Sequence, residues 1–152
     1  MLFLLLFFTE CERNPDKDSF NKNLTYIKTE SGGCNGKLLY DLRSTGEENK
    51  DTVIFSNKKD TLDVFVGINY ICCAPFTDKA IISNDSIILT LTDGCSNPYI
   101  TCYCRCVCYY TWDFLFDGFK EKVYCFKIIL HNPQIEKPII LGEGKVDLSE
   151  KK

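Results

Sequence analysis

Four cysteines occupy every second position from Cys102 to Cys108, and the chain holds ten in 152 residues. Sulfur at that density can do three things. It can fill a core as a small apolar side chain, close disulfides, or hold a soft metal ion. In an extended strand, same-face neighbours stand about 6.6 Å apart with parallel Cα–Cβ vectors, near the upper limit for a disulfide. Bonds within the row are therefore disfavoured, and partners are expected from another strand or an opposed sheet. Cys72, on the inward face of its own apolar run, is the best placed partner. Zinc sites draw converging thiolates from C-x₂₋₄-C turns. This row sets its sulfurs in a line instead, so no metal or cofactor is assigned. Cys72, Cys102, Cys104, Cys106 and Cys108 stand as a candidate disulfide or thiol cluster. Leaving Cys11 aside, nine cysteines remain, an odd number, so one thiol must stay free or pair between chains. Cys125 shares a strand face with Lys127 and His131 and is expected to meet solvent.

The elements that would position these sulfurs read as strands. From Cys102 to Phe116 every even position is Cys or aromatic, while Arg105 and Asp113 fall on odd ones. That two-residue period is the mark of a half-buried strand. A second run, Thr61 to Cys73, places Leu62, Val64, Val66, Ile68, Tyr70 and Cys72 on one face. Shorter candidates are Leu38–Leu42, Thr52–Phe55, and the segments AIIS and SIILTLTD flanking a tight turn at Asn84-Asp85. Val123–Leu130 is expected to return antiparallel beside the cysteine strand, and KPIIL and KVDL to form a last pair around Gly142-Glu143-Gly144. SGGCNGK, from Ser31 to Lys37, reads as a turn. No segment shows a 3.6-residue period. The fold class is therefore all-β: an antiparallel sandwich or partly open barrel of about seven or eight strands.

Composition narrows the classes of function. Charged residues make up 26%, with 18 Lys and Arg against 21 Asp and Glu, and no basic face suited to phosphates. No nucleic-acid partner is expected. A single His weakens most imidazole-based catalysis. Nucleophile elbows, phosphate loops and dinucleotide fingerprints are lacking, so the chain is read as a non-enzyme with no catalytic residues. The outward face of the cysteine strand, with Tyr103, Arg105, Tyr109 and Thr111, offers the aromatic and Arg chemistry that protein or glycan partners use. Asn23-Leu24-Thr25 and Asn84-Asp85-Ser86 match the glycosylation triplet.

The N-terminus reads as an address. Leu2 to Phe8 are seven apolar residues in a row, followed by Thr9, Glu10 and Cys11 and then by the polar stretch ERNPDKDSFNKN. The run is too short to span a bilayer and suits a signal segment. FFTEC resembles the lipobox of bacterial lipoproteins, with Glu10 where that family carries a small residue. Together with the C-x-C-x-C-x-C strand, it is similar to small lipoproteins of the Bacteroides type. The resemblance implies acylation of Cys11, attachment to a membrane through that lipid anchor, and an address at the bacterial outer membrane or cell surface. The expected organisation is a signal-like segment at 1–10, a lipidated Cys and flexible tether at 11–23, and one β-domain at 24–152. The expected function is a non-enzymatic envelope module that binds a protein or glycan, or alternatively a cysteine-based redox or metal-handling protein.

Overall fold

The computed structural model describes residues 24–34, 50–83, 85–96, 102–118, 120 and 122–148. Eight strands follow in order: β1 (Thr25–Cys34), β2 (Thr52–Lys58), β3 (Thr61–Ile71), β4 (Phe76–Ser83), β5 (Ser86–Asp93), β6 (Val107–Asp117), β7 (Val123–His131) and β8 (Ile139–Asp147). The described residues hold no helix. One four-stranded sheet has the order β1-β6-β3-β2 and the other β4-β5-β7-β8, so the molecule is a two-layer sandwich rather than a closed barrel. The first sheet is antiparallel throughout. The second contains one parallel pair, β5 with β7.

Alternation builds the core. Leu62, Val64, Val66 and Ile68 of β3 and Tyr110, Trp112, Phe114 and Phe116 of β6 are buried and face the second sheet. They meet Ile87, Leu89 and Leu91 of β5 and Ile128 and Leu130 of β7. Both strands therefore place inward the face their sequence pattern selects. The strands on either side of the expected turn, β4 and β5, also pair antiparallel, with Ser83 opposite Ser86.

Four expectations are corrected. The cysteine strand starts at Val107, five residues later than its alternation begins; residues 102–106 form an irregular approach to it. β7 does not lie beside β6, because β1 and β3 already occupy both of its edges. Past Gly118, at a positive φ of 76°, the chain instead crosses to the second sheet. Residues 139–147 form one strand and not a pair. Gly142 and Gly144 lie opposite Ile128 and Phe126, and the Phe126 ring sits 3.4 Å and 3.7 Å from where their Cβ atoms would stand. These glycines make room for a ring; they do not turn the chain. Finally, Ser31 to Cys34 close an edge strand, β1, which polar side chains and two glycines disguise as a turn. The expected strand at Leu38–Leu42 lies outside the described residues, as do Cys11 and its tether.

Candidate functional site

Five chain segments meet at one end of the sandwich: the last residue of β1, the end of β3, the start of β4, the end of β5 and the approach to β6. The approach and the second residue of β6 carry the cysteine row. Its four sulfurs are bonded to three other segments: Cys34–Cys108, Cys72–Cys106, Cys73–Cys104 and Cys95–Cys102. Cα separations run from 5.3 to 5.7 Å, inside the normal range. No bond forms within the row, and Cys72 is a partner, as strand geometry requires. The row works as a zipper that ties β1, the β3–β4 connection and the end of β5 to one stretch of chain.

Local backbone explains the pairing. β3 and β6 run in register from Thr61 opposite Asp117 to Ile71 opposite Val107. Beyond them, Cys72 N donates to Cys106 O and Cys104 N donates to Cys72 O, both at 3.0 Å. Cys73 adopts a φ of 67°, which turns the chain out of β3 and presents its side chain to Cys104. The adjacent pair Cys72-Cys73 can thus reach two different members of the row.

Cys125 is disulfide-bonded too and half-buried, so it does not meet solvent as a free thiol. No free cysteine remains among the described residues. The reading of the row as small core-filling thiols is therefore replaced by a disulfide framework. Only Cys72, Cys95 and Cys108 of the paired cysteines are buried; Cys34, Cys73 and Cys104 are exposed.

A polar anchor sits beside the sulfurs. Asp93 is 4% exposed. Its Oδ2 accepts hydrogen bonds from Tyr70 Oη at 2.9 Å and Tyr103 Oη at 2.6 Å, and its Oδ1 accepts one from Cys95 N at 2.9 Å. Burial, then the bond to Asp93 and its charge, push the Tyr103 hydroxyl up to about 12. The same causes push Tyr70 up further. Above them, Phe76 of β4 meets Tyr70, Tyr110 and Trp112 edge-on at centroid distances of 5.0, 5.0 and 5.1 Å. Tyr110 Oη donates to Ile71 O at 3.3 Å and accepts from Ala74 N at 3.2 Å, pinning the β3–β4 corner.

The outward face expected from Tyr103, Arg105, Tyr109 and Thr111 is divided. Tyr103 lies in the irregular approach and turns inward to Asp93, so it leaves that face. Arg105 is exposed; Tyr109 and Thr111 are half-buried on the outer side of β6. Tyr109 lies over Gly67, its hydroxyl filling the space a Cβ would need there. Sequence reasoning missed Asp93, the hub of this end. Its place as the last residue of an alternating strand, Ser86 to Asp93, is the one signal that it faces the core.

Two cavities border these elements. One, of about 410 Å³, is walled by the Cys34–Cys108, Cys72–Cys106 and Cys73–Cys104 bonds with Ala74, Val107 and Tyr110. The other, of about 240 Å³, opens between the β2 and β8 edges, with Phe126 and Leu141 inside and Asp51 and Glu143 at its rim. Sulfurs of Cys34, Cys72 and Cys108 lie within 4.8 Å of one another. As disulfides they offer no thiolate to a metal; their available chemistry is exchange with another thiol. No known family's model matches the chain, and no curated protein or solved structure matches it either.

Proposed function

We propose that this chain is an exported envelope protein, held to a membrane by acyl chains on Cys11, whose disulfide-tied sandwich serves as a non-enzymatic binding module for a protein or glycan. One observation carries the reading: every described cysteine is oxidised, and four of the bonds converge on one end of the molecule. Disulfides at this density persist in oxidising compartments and are lost in reducing ones. The outer side of that end, with Arg105 and Val107 exposed and Tyr109 and Thr111 half-buried, supplies the surface for a partner. Bonds on its inner side hold it rigid, which lowers the entropy lost on binding.

Sulfur counting sharpens the test. The nine described cysteines are all oxidised, and nine is odd, so one of them bonds outside that set. Cys11 is the tenth cysteine of the chain. A thioether-linked lipid and a disulfide compete for the same sulfur. Mass spectrometry of the mature protein separates the two. An N-terminal Cys11 carrying diacylglycerol is the expected result. An unmodified Met1, a mature chain starting at Glu12, or a Cys11–Cys125 disulfide ends the anchor proposal.

A further inference from the structure

The cysteine end has a second feature that rigidity does not require. Two of its bonds touch each other. Cys72 Sγ, bonded to Cys106, lies 2.7 Å from Cys108 Sγ, bonded to Cys34. Two bonds and one contact thus link the four sulfurs in a single line of connection, from Cys34 through Cys108 and Cys72 to Cys106. Its outer end, Cys34, is exposed; the two middle residues, Cys108 and Cys72, are each 3% exposed; Cys106 is half-buried. The cavity of about 410 Å³ runs along this line.

We propose that this line is a thiol–disulfide exchange site whose substrate is an external thiol. An external thiolate attacks Cys34 Sγ, forms a mixed disulfide there and expels Cys108 as a thiolate. A thiolate at Cys108 is buried among apolar groups, where charge is costly. Cys72 Sγ is already in contact with it. Cys108 attacks Cys72, a Cys72–Cys108 bond forms, and Cys106 leaves as the thiolate, now at a half-exposed position. The charge moves from a buried sulfur to one that water reaches, which gives the step its direction. A second external thiolate attacks the external sulfur of that mixed disulfide, forming the external disulfide and expelling Cys34 as a thiolate that takes up a proton. Two external thiols are oxidised, one protein disulfide is reduced, and the protein ends with thiols at Cys34 and Cys106 around a Cys72–Cys108 bond. The activity depends neither on the anchor nor on the binding surface, so its failure would leave that reading standing.

The pairing of the orphaned sulfur tests this directly. In Cys34→Ser, purified without reductant, alkylated and mapped by mass spectrometry, the free thiol should appear at Cys106 with a Cys72–Cys108 linkage. A free thiol at Cys108 with Cys72–Cys106 intact overturns the proposal. A parallel measurement needs no variant. The wild-type protein is treated with reduced glutathione, for small thiols, or with a reduced unfolded protein, for cysteinyl ones, then alkylated. An adduct at Cys34 with label at Cys106 exceeding that at Cys108 by about tenfold is expected with at least one of the two. Label at Cys108 equal to or above that at Cys106, or no adduct at Cys34 with either thiol, overturns it.

Discussion

Asp63 carries an unfavourable charge on the first sheet. It lies in β3 between the inward residues Leu62 and Val64, so it points outward, and its Oδ1 is buried without a hydrogen-bond partner. Burial, followed by the nearby charges of Asp113 and Glu30, raises its pKa. A carboxyl raised in the folded state stabilises the fold most when protonated, and that contribution is lost as pH rises past the ordinary Asp value near 4 toward the folded one. Asp63→Asn should therefore raise the melting temperature at pH 7 and have less effect at pH 4, read by thermal unfolding at both pH values. An unchanged or lower melting temperature at pH 7 would show that Asp63 is compensated. The tyrosines at Asp93 give the opposite end of the pH scale. Unfolded tyrosine ionises near 10, whereas Tyr103 is raised to about 12 and Tyr70 beyond that. Their contribution is complete below pH 10 and falls as pH climbs from 10 toward 12. Urea midpoints across pH 9–12 should drop in that window, and Tyr103→Phe should make the drop shallower.

At the scale of elements, the strands that alternate cleanly were legible from their residues, and those that do not were not. β3, β5 and the part of β6 after Val107 show their inward faces because burial on one side demands a two-residue period. The same logic overran at Cys102–Cys106, where alternation is set by disulfide partners at one end of the sandwich and not by a sheet ladder. β1 was missed because an edge strand with one exposed face needs no apolar pattern. The partner of β7 was misjudged because a sequence does not say which sheet edge is already taken. β8 makes the most specific element-scale prediction. Gly144, at a φ of 155°, and Gly142 line the path of the Phe126 ring, which also meets Phe55 of the first sheet at a tilt, 4.8 Å between centroids. Gly144→Ala should cost about 1–3 kcal/mol of unfolding free energy, since a side chain rarely adopts that backbone. A loss below a few tenths of a kcal/mol in urea unfolding would mean that β8 relaxes freely.

For the molecule as a whole, the zipper converts one irregular approach segment into the anchor for three other segments. The pairing row and Cys72 were visible in the spacing; Cys34, Cys73 and Cys95 as partners were not, because connectivity follows from which strand ends share one end of the sandwich. Loop-closure entropy ranks the bonds. Cys34–Cys108 spans 74 residues and Cys95–Cys102 spans 7. Replacing the first pair by Ser should cost about 4 kcal/mol and the second about 2.5 kcal/mol. Urea denaturation of the two double variants measures that difference, and equal losses would place the effect in native packing instead. The most direct test of the whole account is disulfide mapping of the purified wild-type protein, alkylated without reductant and digested. It should yield Cys34–Cys108, Cys72–Cys106, Cys73–Cys104 and Cys95–Cys102 with none of these eight alkylated. Alkylated thiols along Cys102 to Cys108, or bonds joining members of that row to one another, would contradict it.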